Sequence, residues 1–316
     1  MVRKISFTDL NKAVTDAYNE YKNLDKGEID ARVKDADAND LAISVVLTDG
    51  RTIECGNTDK TAVLGNIAAI PVHAMLLQQY DLKQLIKKAG KTTNHRLRKM
   101  DLPVKAHAVR AVSAVQPQND ADGKYDLLVN NMINMVGSEP VFDDKMYTTL
   151  TNEILNDNVE NKLAEVDYEL YDDARASLNV LAKMESLRLN TTQLATMGAT
   201  VAADGVNPVT DQTVFDGTLS APLTTIAAIH GNPDRNRRWL LKSGVPAVFS
   251  FSGMVLAIMP GVGAIAAYGA QVGKHGRSKK GGRAIRFITN AIGYNVFNSD
   301  RIEVTNRVLE TANATN

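Results

Sequence analysis

Cysteine is almost absent from this chain, and the start of the chain has no long apolar run. Cys55 is the only cysteine among the 316 residues, so no internal disulfide can form. The first ten residues, MVRKISFTDL, contain no apolar core of a signal peptide. Both observations predict a reducing, cytoplasmic setting. Nothing near Cys55 in the sequence would lower its pKa, so we expect a small core residue and not a nucleophile.

Net charge is also absent, which excludes partner selection by a long-range field. Thirty-six Lys and Arg residues balance 36 Asp and Glu residues. Basic residues do cluster between Lys83 and Lys105, but no Phe, Tyr or Trp lies among them to stack on bases. We expect a solvated helical face there and no nucleic-acid partner.

The sequence also lacks the patterns that hold metals and phosphate groups. The segment 261–269, GVGAIAAYG, lies within an apolar region and does not resemble a phosphate-binding loop. The histidines show no metal-ligand spacing; they are His73, His95, His107, His230 and His275. The sequence therefore predicts no metal ion and no other cofactor.

What the sequence does contain is a long apolar segment, which has no charged residue from Ser243 to Ala270. About 20 consecutive apolar residues can span a bilayer as a helix. Here Gly253, Pro260 and Gly261 divide the segment into short pieces. We therefore predict no membrane span but two buried strands joined by a Pro-Gly turn, in a sheet that is covered on both faces.

Other segments predict an α+β chain with strands near both ends. Ser6 and Asp9 form a loose capping box for an amphipathic helix that starts at Phe7. Residues 41–47 and 51–55 flank Asp49-Gly50, which predicts a hairpin in the same sheet as the apolar segment. Residues 62–77 predict a buried helix that is interrupted or restarted at Pro71. The region 59–205 is expected to be mostly helical.

Two motifs resemble those of the serine-dependent glutaminases. Residues 205–210 read GVNPVT, as in the turn GVNPVTG of that family, and residues 242–245 read KSGV, as in its KSGV box. Further similarities occur at 56–59, 187–204, 257–261 and 276–297, so the resemblance covers nearly the whole chain.

The resemblance implies a β-lactamase/transpeptidase-like α+β fold, with a mainly antiparallel sheet flanked by helices. It implies one domain over 1–316, with a sheet lobe (1–60 and 216–316) and a helical lobe (61–215). The family hydrolyses glutamine to glutamate and ammonia, so the implied ligand is glutamine or a related amino acid. The family also implies a homo-oligomer, a dimer or a tetramer.

The reacting groups of the family are missing at the matching positions. Counting from Gly56, the serine and lysine of the family's Ser-x-x-Lys motif fall on Asn66 and Ala69. Counting from Gly27, the family's tyrosine falls on Arg32. An amide cannot form an acyl intermediate, and alanine cannot carry a proton. The sequence predicts a pseudoenzyme, although it leaves open an active amidohydrolase of altered mechanism or substrate, an amino-acid-binding protein, or a scaffold.

The resemblance implies six candidates for substrate binding. They are Asn66, Asn130, Glu169, Lys242, Ser243 and Val245. Asn131 is a rival to Asn130, which could instead satisfy backbone groups of a helix. Glu169 and Arg175 match a family spacing but could equally be surface charges. Ser243 with Lys242 as its base is an alternative nucleophile, although strand neighbours point to opposite faces.

Residues 246–253, PAVFSFSG, separate the KSGV box from the following strand and look like an insertion. Phe249 and Phe251 alternate with serines there. We predict that one of these two rings fills part of the family's glutamine pocket and closes it.

Overall fold

The computed structural model describes residues 5–84, 102–231, 236–273 and 276–298. Most of the basic cluster predicted as a solvated helical face, residues 85–101, lies outside the described residues, and so do His95 and His275. In the described ranges no helix has the length and apolar character needed to cross a bilayer.

The described residues form short strands, mostly near the two ends of the chain, and helices, most of which lie between them. The strands are β1 (Glu28–Ile29), β2 (Ala42–Leu47), β3 (Thr52–Gly56), β4 (Ala62–Val63), β5 (Val141–Phe142), β6 (Leu187–Leu189), β7 (Ala247–Phe249), β8 (Met254–Met259), β9 (Gly263–Tyr268) and β10 (Gln271–Val272). The helices are α1 (Phe7–Tyr21), α2 (Ala69–Gln79), α3 (Ala106–Ala114), α4 (Ala121–Val136), α5 (Asp144–Asn156), α6 (Val159–Ala164), α7 (Ala174–Glu185), α8 (Thr191–Ala202), α9 (Ser220–His230), α10 (Asn236–Ser243) and α11 (Lys279–Ala291).

A five-stranded antiparallel sheet, in the order β3-β2-β9-β8-β7, lies between two layers of helices. Helix α8 packs on one face, while α1 and α11 pack on the other. All six residues of β2, β8 and β9 are buried, because alternate side chains enter two different cores. The predicted sheet, covered on both faces, is confirmed.

The apolar segment supplies three strands and not the two that its sequence predicts. Strand β7 pairs with one edge of β8, and β9 pairs with the other edge. The chain reverses between β7 and β8 at Gly253, which has φ +95° and accommodates the turn. Ser250 and Ser252 lie inside this turn. The alternation of Phe and Ser in the sequence therefore continues past the end of β7 and does not show where the strand ends.

The local signals near the N-terminus give the structures that they predict. The Ser6 side chain accepts a hydrogen bond from the Asp9 N–H and begins α1. The hairpin of β2 and β3 turns at Asp49-Gly50 and joins the sheet through β9. Cys55 is half-buried, and burial raises the pKa of its thiol, as expected for a residue that is not a nucleophile.

The buried helix predicted over residues 62–77, interrupted or restarted at Pro71, instead begins at Ala69 and runs through Pro71 without a break. Ala62 and Val63 form β4, which pairs with β6 in a small sheet that also contains β5. Gly65 follows at φ +49°, and a 3₁₀ turn (Gly65–Ala68) leads into α2. Pro71 lies in the first turn of α2, where its missing N–H costs no helical hydrogen bond.

Candidate functional site

Asn66, at the predicted nucleophile position, lies in the 3₁₀ turn that leads into α2. The turn is held tightly against the segment after β7. An ideal Cβ on Gly65 would lie 2.7 Å from both Phe251 Cε1 and Ser250 Oγ, so only glycine fits. The Ser252 hydroxyl donates to the carbonyl oxygen of Val63 at 2.6 Å. Asn66 is therefore fixed beside the chain reversal between β7 and β8.

The cavity beside Asn66, which we call the Asn66 cavity, is very small. Its volume is about 20 Å³, room for about one water molecule. Small-molecule sites usually have volumes of about 300–1,000 Å³. Its polar lining comes from Asn66, Lys105, His107 and Glu185, and Ala69 lies on its wall. In this structure the cavity has no room for an amino acid.

Glu185, at the end of α7, is a member of this cavity that sequence reasoning missed. It is 2% exposed, and no hydrogen bond or ion pair reaches its carboxylate from the described residues. Burial raises its pKa to about 7, although the charges of Arg32 and Lys105 oppose that shift. The sequence does contain a signal for this residue. Glu185 follows the buried Leu181 and Ala182 by one helical turn, which places a carboxylate on the apolar face of α7.

Arg32, at the predicted tyrosine position, lines a different cavity, of about 220 Å³. Its guanidinium binds Asp30 through two hydrogen bonds of 2.8 Å and lies 3.7 Å from the centre of the Phe251 ring. Burial opposes ionisation of Asp30, but the hydrogen bonds and charge of Arg32 outweigh it and lower the pKa of that carboxyl. Arg32 therefore makes a cation–π contact with the Phe251 ring.

The two phenylalanines after the KSGV box point in different directions. Phe251 is buried between Arg32 and Gly65, in the core shared with the helices. Phe249 enters the other core and contacts Trp239 edge-on, with ring centres 4.9 Å apart. The Phe251 ring lies against the turn that carries Asn66.

The KSGV box ends a helix and does not enter a strand, so Lys242 and Ser243 are not the strand neighbours that the sequence predicts. Ser243 donates back to the Trp239 carbonyl at 2.8 Å, and Gly244 (φ +66°) follows the last residue of α10. Val245 accepts a 2.8 Å hydrogen bond from the Trp239 indole. Lys242 is exposed on a separate groove.

None of the box residues lines the Asn66 cavity; Val248 of β7 does. The hypothesis of a Ser243 nucleophile with Lys242 as its base finds no support in this arrangement. Residues 246–253, predicted as an insertion, contain β7 and its turn into β8.

The two asparagines of α4 also lie away from the cavity. Asn130 is exposed on the helix surface. Its rival Asn131 is buried, donates to the Pro71 carbonyl at 3.0 Å and accepts from the Gln78 amide at 3.1 Å. The side chain of Asn131 thus joins α4 to α2, which is a structural role.

Glu169 and Arg175 do not form a common site. The Glu169 carboxylate is 57% exposed and accepts a 3.1 Å hydrogen bond from Arg110. Arg175 lies on α7 beside Asn179, in a groove that does not contain Glu169. Of the six substrate-binding candidates, only Asn66 lines the Asn66 cavity.

The GVNPVT turn is held by Asn207, which is fully buried. Its amide donates to the carbonyl oxygens of Asn134 and Met135, at the C-terminal end of α4, at 2.9 and 3.3 Å. Its Oδ1 accepts from the N–H groups of Val209 and Thr210. The motif therefore connects a turn to a helix end.

Comparison with known proteins decides the family. Residues 29–297 match the family model described as Glutaminase. This chain belongs to the glutaminase family. The glutaminase of Parabacteroides distasonis is 30% identical over 319 residues, covering 96% of this chain and 99% of the relative. A glutaminase of Escherichia coli is 25% identical and covers 91% of this chain and 97% of the relative.

Solved structures show the same fold. The probable glutaminase ybaS superposes with a TM-score of 0.83 at 23% identity, covering 93% of this chain and all of that one. A probable glutaminase from Bacillus subtilis, complexed with 6-diazo-5-oxo-L-norleucine, gives 0.78 at 18% identity and covers 94% and 99%. The predicted family and the predicted β-lactamase-like α+β fold are both confirmed.

Proposed function

We propose that this member of the glutaminase family has lost serine-dependent glutamine hydrolysis and acts as a non-catalytic scaffold protein with a closed pocket. One observation carries the proposal: Asn66 and Ala69 flank a cavity of about 20 Å³ at the start of α2. No hydroxyl side chain is found among the described residues of this cavity to attack an amide, and Ala69 stands where the family has the lysine that takes its proton. Loss of one member of such a set costs several orders of magnitude in rate.

The residues around Asn66 support a closed pocket. In our proposal Phe251 occupies part of the volume that glutamine fills in active relatives, and Arg32 holds the ring from the opposite side. Burying one Phe side chain stabilises the fold by roughly 1.5–3 kcal/mol, so opening the pocket is unfavourable. The protein is then a structural relative of the glutaminases that does not bind glutamine.

The test is hydrolysis and labelling in parallel. Ammonia and glutamate release from glutamine are measured for the purified protein and for Asn66→Ala. The related glutaminases serve as positive controls. A Bacillus subtilis relative forms a covalent complex with 5-oxo-L-norleucine on reaction with 6-diazo-5-oxo-L-norleucine. We expect background activity from both variants and no mass increase after treatment of this chain with that reagent.

Two results would contradict the proposal. One is glutamate production that co-purifies with the protein and disappears in Asn66→Ala. The other is saturable binding of glutamine or glutamate in isothermal titration calorimetry, which would instead indicate an amino-acid-binding protein with an open form of the pocket.

A further inference from the structure

A second, much larger groove lies between α10 and α11, and its lining is strongly basic. The groove has a volume of about 400 Å³, within the range of about 300–1,000 Å³ usual for small-molecule sites. Among its described lining residues, six side chains are cationic and none is acidic; the cations are Arg238, Lys242, Arg277, Lys279, Arg283 and Arg286. We call it the basic groove.

This charge is local, because the chain as a whole is neutral. Arg238 and Lys242 are one turn apart on α10, and Lys279, Arg283 and Arg286 follow one face of α11. Within the described ranges, no ion pair is found for these five side chains. Like charges gathered in a concavity repel one another and focus a positive potential that attracts anions.

The floor of the basic groove is apolar and rigid. Trp239 and Phe249 form it, edge to face, and the Trp239 indole is anchored to the Val245 carbonyl at 2.8 Å. Gly282 of α11 lies beside this floor, where a Cβ would be in ordinary van der Waals contact with the Phe249 ring, at 3.4 Å. The guanidinium of Arg277 lies 5.7 Å from the centre of the same ring. The cations therefore surround a fixed surface.

The N-terminus of α11 adds to the positive field. This 13-residue helix begins at Lys279, and Ser278, its cap, also lines the groove. The partial positive charge of a helix N-terminus favours phosphate groups. Arginine recognises phosphate through paired hydrogen bonds, and four of the described residues that line the groove are arginines.

We propose that the basic groove binds a small polyanion that carries two or more phosphate groups. The concave shape and limited volume suit a compact ligand. Nucleic acid is disfavoured because Trp239 and Phe249 are buried in the floor, at 7% and 3% exposure, and cannot stack on bases. The proposal is independent of the Asn66 cavity and of whether glutamine is hydrolysed.

The site contains its own reporter, since Trp239 is the single tryptophan of the chain. Sodium tripolyphosphate is titrated into the protein at constant ionic strength while the tryptophan emission is followed. We expect a saturable change with a dissociation constant in the micromolar range, and far weaker binding of sulfate. The double variant Arg238→Ala/Arg283→Ala should bind at least tenfold more weakly.

The control variant Lys34→Ala/Lys83→Ala removes the same number of charges from exposed positions outside the groove and should bind as the wild type does. Arg283→Lys keeps the charge but loses the paired hydrogen bonds to phosphate, so its affinity for tripolyphosphate should lie between those of the wild type and the double variant. This single variant tests the proposal if the double variant does not fold. Unchanged binding by the groove variants would overturn the proposal. So would equal losses in the control, or tighter binding of a single-stranded oligonucleotide than of tripolyphosphate.

Discussion

At the residue scale, the most unusual group is the Glu185 carboxyl, because it is buried without a hydrogen-bond partner among the described residues. Its pKa rises from 4.5 to about 7 on folding, chiefly through burial. The folded state therefore favours the protonated form, so this group lowers the free energy of unfolding progressively as pH rises from about 4.5 to about 7.

We expect Glu185→Gln to stabilise the protein at pH 8, by up to roughly 3 kcal/mol since each unit of pKa shift corresponds to about 1.4 kcal/mol. The gain should be near zero at pH 4.5, where the carboxyl is protonated in the folded state. Urea unfolding at the two pH values measures the difference. A gain of equal size at both pH values, or the same pH dependence in the exposed control Glu139→Gln, would contradict the assignment.

Asn207 gives a second residue-scale prediction, in which a family motif acts through structure. Asn207→Ala removes a side chain that satisfies two carbonyls at the end of α4 and two N–H groups of its own turn. We expect a loss of about 2–4 kcal/mol in the free energy of unfolding, because buried backbone groups become unsatisfied. Chemical denaturation checks this. Asn130→Ala, on the exposed surface of α4, is the control, and a similar loss there would refute the assigned role.

At the element scale, the approach of α8 to the central sheet depends on Gly198. An ideal Cβ at this position would lie 2.6 Å from Leu256 Cδ1 and 2.7 Å from the Cβ of Ala264. Alanine would improve helix propensity by about 1 kcal/mol. Overpacking of a dense core costs typically about 1–3 kcal/mol, so the two effects oppose each other.

We expect the overpacking to win, so that Gly198→Ala lowers the melting temperature. The backbone of α8 lies against β8 and β9 and cannot move away without disturbing both strands. Thermal unfolding followed by circular dichroism tests this, with the exposed Asn152→Ala on α5 as a control for propensity alone. A melting temperature raised by Gly198→Ala would show that the sheet yields more easily than its packing implies.

Element boundaries also separate what could be predicted from what could not. The start of α1 at Phe7 and the turn at Asp49-Gly50 were predictable, because each depends on contacts within four residues. The position of Lys242 was not, since the letters KSGV fit a strand entry as well as a helix end. The back-bonding of Ser243 to Trp239 decides between them.

At the scale of the whole molecule, the prediction concerns the association of several copies of the chain. We propose a homo-oligomer in a cytoplasmic setting, most simply a two-fold dimer. Multi-angle light scattering at micromolar concentration should give at least twice the chain mass of 34.3 kDa. A single species with the mass of one chain, 34.3 kDa, over the whole concentration range would contradict the prediction. The lobe boundaries at residues 60 and 215 also remain a prediction.

The sequence by itself determined the family, the α+β class and the absence of a serine and a lysine at positions 66 and 69. These depend on residue identity and on short-range order, which can be read along the chain. Only the tertiary structure decided that Glu185 lies beside Asn66, that Phe251 lies under Arg32, and that two basic helices face each other across a groove. Such neighbours are tens to hundreds of residues apart, and they meet because helices bury their apolar faces against a common sheet.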